Sequence, residues 1–235
     1  MLFRSYDPAV VVQRGKVERA RQTMEDYLAI HADDAYLANK LAALYIEADQ
    51  IDRALPLLNQ ALTQVDRLDP ITCYELYYHR ALAYGQDHPE LAVEDYGLAL
   101  EQAVPPALTL GALINLGSLK KDEGDLTAAL ELFGRAIAID PDLAIAHYNL
   151  GTTHRARGYL EAAIAAYQRA IALRSNYPEA HQNLGVVLFK LGKISESLAA
   201  FTQAIQLYES SDPDYAETLR AGLRNLGLPP SFRVD

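Results

Sequence analysis

Gly117, Gly151 and Gly185 stand 34 residues apart, and the same interval separates Gly124, Gly158 and Gly192, Ala136, Ala170 and Ala204, and Phe133, Tyr167 and Phe201. Four columns in one register constrain everything between them. The chain writes one supersecondary unit repeatedly, and each unit must bury its apolar face against the next. Within a unit the apolar residues follow helical spacing in two blocks: Leu150, Gly151 and His154, then Leu160, Ala163, Ile164, Tyr167, Ala170, Ile171 and Leu173. This predicts two amphipathic helices around a turn at Gly158. Gly151 and Ala163 remove bulk where the two helices cross, and Ala170 lets the second helix approach the next unit. A mid-helix glycine costs roughly 1 kcal/mol against alanine, so the Gly151 column marks a close contact. Gly124, Gly158 and Gly192 have a different task, as left-handed residues that end the first helix.

The residues so assembled are Asn-Leu-Gly in the first helix, a turn glycine, then Ala, an aromatic and Ala in the second, with Asp140-Pro141 once between units. They resemble the tetratricopeptide repeat family, over almost the whole chain. The resemblance implies an all-α fold, an α-solenoid of stacked antiparallel helix pairs. The clearest units are 110–143, 144–177 and 178–211. A unit at 35–68 carries Leu41, Ala42, Tyr45, Ala54, Leu58 and Ala61 at the matching places. Another at 74–106 carries Tyr77, Ala81, Tyr84, Ala92, Tyr96 and Ala99, with its inter-helix turn, GQDHPE, one residue short. Residues 1–34 read as a partial first repeat, whose second helix is RGKVERARQTMEDYLAIHADD and whose degenerate partner, around residues 5–13, is interrupted by Pro8. Extra junction residues are expected from Arg67 to Cys73 and from Val104 to Thr109. Pro56 is expected close enough to the start of its helix for the missing N–H to be tolerated. Residues 212–227 read as a capping helix, with Asp212 as N-cap, Pro213 in the first turn, an apolar stripe of Tyr215, Leu219, Leu223 and Leu226, and Gly227 and Pro229-Pro230 as the stop. It covers the apolar face that a stack otherwise exposes. Residues 228–235 form a tail.

Composition excludes several classes of function. The single cysteine, Cys73, allows no intrachain disulfide and no Cys/His zinc cluster, which fits a reducing compartment. The stretch MLFRSYDPAVVVQRG has only a four-residue apolar run, too short for a signal-peptide core, and nowhere do about 18 uncharged apolar residues run together. A soluble, cytoplasmic protein without membrane insertion is expected. A net charge of -10 argues against general affinity for nucleic acid or an anionic membrane.

No G-x-S-x-G, P-loop or G-x-G-x-x-G occurs, so the sequence predicts no enzyme and no cofactor. His147 and His154 stand seven apart on one helix, and His181 repeats the His147 column. The family carries large aromatic residues at these places, so packing accounts for them and no metal site is expected.

The feature that packing does not explain is the column Asn115, Asn149, Asn183, each one residue before the core Leu-Gly. In the family this position faces the concave surface, and an amide offers both donor and acceptor to the backbone of an extended peptide. The alternative is that each Asn caps or hydrogen-bonds a neighbouring helix, and a mid-helix Asn requires one such reason. Beside this column run Lys121, Arg155 and Lys190, which would favour a peptide with acidic side chains. Tyr148 and Phe189, with Ile114 and Val186, add apolar surface, and Tyr36 and Tyr78 fall where first helices face the groove. The family's clamp for a chaperone's terminal carboxylate needs cations where this chain has Ile114, Ser118 and Glu179. Only Asn149 matches, so that mode is not expected. The reading is a non-enzymatic scaffold, an adaptor or assembly factor, that binds a partner's extended segment. The repeats also resemble those joined to glycosyltransferases, so a second reading is a regulatory or targeting module for a separate catalytic partner. A third is a self-associating structural repeat.

Overall fold

The computed structural model describes residues 8–85 and 87–228, with side chains from Gly15 onward. The segment before Pro8, Gln86 in the shortened turn, and the tail with its Pro229-Pro230 stop lie outside the described residues. Among the described residues the fold is all helical, in adjacent antiparallel pairs. The chain divides into two compact units, one up to Pro105 and one from Pro106.

The first unit holds α1 (Pro8–Leu28), α2 (Ala35–Glu47), α3 (Ile51–Leu62), α4 (Pro70–Tyr84) and α5 (Pro89–Leu100). α1 runs from Pro8 on through Gly15 without a turn, and the expected interruption at Pro8 falls at the edge of the described residues. The core is built on Leu41, Ala42, Tyr45, Ala54 and Leu58, with Leu28 of α1 and Leu76 of α4 packed against it. Two expectations are corrected. Pro56 is the sixth residue of α3, beyond the free donors of the first turn, so the Asp52 carbonyl loses its i+4 partner. Residues 70–73 are helical rather than a junction. Asp69 caps them by accepting from the backbone N–H groups of Ile71 and Thr72 at 3.0 and 3.1 Å, and these bonds, with that from the Thr72 hydroxyl, hold its carboxyl below its usual range.

The second unit holds α6 (Leu110–Asp122), α7 (Leu126–Ile139), α8 (Ala144–Ala156), α9 (Leu160–Leu173), α10 (Pro178–Lys190), α11 (Ile194–Ser211) and α12 (Pro213–Asn225). The close contact predicted at the Gly151 column is with the aromatic column of the second helix. A Cβ on Gly117, Gly151 or Gly185 would lie 2.7, 2.7 or 3.0 Å from the ring of Phe133, Tyr167 or Phe201. Gly124, Gly158 and Gly192 have φ of 88°, 82° and 74°. After α8 the chain closes with Tyr159 N–H to His154 O at 2.9 Å and Gly158 N–H to Arg155 O at 3.1 Å, the paired bonds of a Schellman turn. The first unit makes the same turn after α2 without glycine, at Asp49 with φ 57°. His147 and His181 each donate from Nε2 to the backbone carbonyl six residues earlier, of Pro141 and Ser175, and so brace the loops between repeats.

α12 begins as predicted, with Asp212 accepting from Tyr215 N–H at 3.1 Å. Its buried stripe differs. Ala216 and Leu223 are buried, whereas Leu226 is 59% exposed. The chain turns at Gly227 so that Leu228 N–H reaches Leu223 O at 2.9 Å, and Leu228 takes the apolar position expected of Leu226.

Candidate functional site

In each unit the first helices of successive pairs touch one another, α2 with α4 in the first unit, and α6 with α8 and α8 with α10 in the second. The second helices α3, α7 and α9 instead fill the space between consecutive first helices. Closer spacing of the first helices puts them on the inner side of each unit's curvature.

Eight of the ten predicted groove residues lie in the second unit. The asparagines there are engaged in different ways. Asn183 donates its amide to the Tyr148 hydroxyl of the preceding repeat at 3.0 Å. Asn149 is only 8% exposed, and its backbone carbonyl accepts from the hydroxyls of Thr152 and Thr153, both at 2.8 Å. Asn115 is half-buried and likewise engaged. Tyr148 is the hub of this wall: its ring lies 4.9 Å from that of Tyr177 and 6.0 Å from that of Tyr167. Burial, reinforced by the negative charge of Glu179, pushes its phenol up, and the Arg155 charge partly offsets this. The three cations differ just as much. Lys121 pairs with its neighbour Asp122 at 3.0 Å, Lys190 is exposed, and Arg155 is half-buried with an Nε that has no hydrogen-bond partner. Phe189 packs on the cluster of Phe201, Ile205 and Tyr208 that α12 covers. Tyr215 of α12 reaches Gln182 of α10 at 3.0 Å, and Tyr208 reaches the same side chain at 3.2 Å.

The other two residues lie in the first unit. Tyr36 is exposed, with the Lys40 ammonium 5.2 Å from its ring. Tyr78 is half-buried and stacks on Tyr74 at 5.8 Å. Between them lies a polar network that no column in the sequence announced. Glu75 accepts from Asn39 at 2.8 Å and from Lys40 at 2.6 Å. The Asn39 carbonyl oxygen faces His79 Nδ1 at 2.7 Å, and since the Asn39 amide nitrogen is donating to Glu75, His79 carries its proton on Nδ1. Burial pulls the His79 pKa down, in keeping with a neutral ring. Asn39 stands two residues before its core Leu, not one, which hid it from the column search. Arg80 grips Asp95, only 2% exposed, through two bonds of 2.7 Å, a bidentate pair that ties α4 to α5. An open cleft of about 390 Å³ between α1, α2 and α3 is lined by Leu28, Leu41, Tyr45, Arg53 and Leu57 and includes none of the predicted groove residues.

Among the described residues no group of three or more His, Cys, Asp or Glu side chains is placed to hold a metal ion. No described helix is long and apolar enough to cross a membrane.

The fold and its repeat geometry define a class, the helical-hairpin repeat proteins, and the comparisons assign the family. A family model described as TPR repeat matches residues 117–154 and 151–192, and one described as Tetratricopeptide repeat matches 178–211. The chain carries tetratricopeptide repeats over residues 117–211. It is 41% identical over 130 residues to a TPR repeat-containing protein of Synechococcus elongatus. The match spans 55% of this chain and 32% of the relative, about a third of that protein's length. Among solved structures, YrrB, described as a TPR protein with an unusual peptide-binding site, superposes with a TM-score of 0.67 at 18% identity, over 86% of this chain and 97% of that one. MamA from Desulfovibrio magneticus RS-1 superposes with a TM-score of 0.65 at 22% identity, over 77% of this chain and 98% of that one. At these identities the likeness is one of fold.

Proposed function

We propose that this protein is a non-enzymatic scaffold, an adaptor or assembly factor, that binds an extended segment of a partner protein along the first-helix face of its repeats. The observation that supports the reading is the contact of α6 with α8 and of α8 with α10, since Asn115, Asn149 and Asn183, with Lys121, Tyr148, Arg155, Phe189 and Lys190, all belong to these successive first helices. Tyr36 and Tyr78 serve the first unit in the same way. A periodic wall of amides and aromatics suits a periodic ligand, and the extended backbone of a peptide is one. The cations favour acidic side chains in that peptide within a chain whose net charge is -10. YrrB, similar in fold, is itself described as having a peptide-binding site.

The test is the triple variant Asn115→Ala, Asn149→Ala, Asn183→Ala, assayed against peptides selected on the wild-type chain from a displayed random library. Each neutral hydrogen bond contributes about 1 kcal/mol net, so the expected loss is on the order of 100-fold in affinity. Wild-type affinity with a lowered melting temperature would assign the amides to holding repeats together, as the Asn183–Tyr148 bond does. A selection that returns no peptide sensitive to any groove residue would overturn the reading as a whole.

A further inference from the structure

We infer that the repeat 144–177 contains a single carboxylate subsite, in which Arg155 receives one Asp or Glu side chain of the segment bound in the groove. The inference rests on the peptide-binding reading and deepens it, since the three cations beside the Asn column are not equivalent.

Two departures from the repeat pattern coincide here. In the three repeats of the second unit the aromatic column of the second helices reads Phe133, Tyr167, Phe201, so there only the middle repeat carries a hydroxyl. At the place of Arg155 the neighbouring repeats have Lys121 and Phe189, so only the middle repeat carries a guanidinium. The Tyr167 side chain is 0% exposed, and neither its hydroxyl nor Arg155 Nε has a partner of good hydrogen-bond geometry, although the guanidinium comes close enough to the phenol for hydrogen bonding to act between them. The two groups are near enough for the Arg155 charge to act on the phenol, whose pKa burial nevertheless pushes well up. Tyr167 is therefore a neutral donor at any physiological pH. No carboxylate among the described residues pairs with Arg155. Other cations without an ion pair, such as Arg135, Arg157, Arg174 and Lys190, are exposed to water, whereas Arg155 is half-buried.

A half-buried guanidinium cannot lose its proton, and it has given up part of its hydration without gaining an anion. A carboxylate supplied by a ligand meets that need, and bidentate geometry makes the contact specific as well as strong. The Tyr148 ring, held by Tyr177 and by the Asn183 amide, forms the adjoining wall. Exposed Glu179, whose charge also acts on the Tyr148 phenol, sets the polarity. An acidic ligand side chain is drawn to Arg155 and repelled from the start of α10, which fixes the register of an otherwise sequence-tolerant groove. Lys121, already paired, and Lys190, exposed and hydrated, lack this combination and act as diffuse positive charge.

The experiment selects binders on the full chain from a displayed library of random twelve-residue peptides, and repeats the selection on Arg155→Gln and on Arg135→Gln, an exposed control on α7. The expected result is enrichment of Asp or Glu at one peptide position for the wild type and Arg135→Gln, and its loss for Arg155→Gln. For a selected peptide, replacing that Glu by Gln should weaken binding to wild type about tenfold or more. The same replacement should change nothing on Arg155→Gln. The peptide arm leaves the protein untouched, so a folding defect in the variant cannot imitate the result. Groove-dependent peptides with no acidic position, or with one that Arg155→Gln leaves in place, overturn the subsite and leave the scaffold reading standing. A selection without groove-dependent peptides overturns both.

Discussion

At the scale of single residues, one amino acid has opposite meanings at two helical positions. Gly151 and Gly134 both sit inside helices, where alanine is worth roughly 1 kcal/mol more than glycine. An added Cβ at Gly134 meets nothing within 4 Å, whereas at Gly151 it would meet the fully buried Tyr167 ring at 2.7 Å. Gly134→Ala is therefore expected to stabilise the chain by about 0.5 to 1 kcal/mol. Gly151→Ala is expected to destabilise it, because overpacking costs about 1 to 3 kcal/mol and outweighs the propensity gain. Urea unfolding of the two variants checks both signs, and a stabilised Gly151→Ala would refute the socket. Sequence alone marked Gly151 as a contact position from its interval and its cost. It did not reveal that the contact is with the aromatic column. Ser197, in the column of Ala129 and Ala163, shows a similar limit: its buried hydroxyl donates to Gly185 O at 2.8 Å, a bond no interval predicts.

At the scale of elements, α12 is the one helix in the second unit whose sequence lies outside the 34-residue register, and its role is to cover. Ala216, Leu223 and Leu228 close over Phe201, Ile205 and Tyr208, while Tyr215 and Tyr208 meet at 4.7 Å and share Gln182. Arg220 pairs with Glu209 across α11 and α12. A chain ending at Ser211 is expected to expose that apolar face and to self-associate, with a lower melting temperature. Light scattering checks it, and a monodisperse monomer of unchanged stability would refute it. The start of this helix was legible because Asp-Pro is a strong local signal. Its end was misjudged by two residues, since the choice between Leu226 and Leu228 depends on the turn at Gly227. Pro56 was misplaced for a related reason. What a proline costs depends on its distance from a helix start, and that start is fixed by packing.

At the scale of the whole molecule, the repeat interval made the class of fold legible, because each column reports an identical packing event. The candidate site was legible only as positions. The Asn183–Tyr148 bond and the Asn39–Glu75–His79 network depend on side chains from different repeats meeting, and no single repeat records that. One property of this arrangement serves whoever studies it next. The chain has 15 tyrosines and no tryptophan, so its ultraviolet emission is tyrosine emission alone. Tyr148, Tyr167 and Tyr177 form a tight group beside the inferred subsite. A carboxylate arriving at Arg155 is expected to change their light, and a titration with a selected acidic peptide that leaves the emission unaltered would refute this.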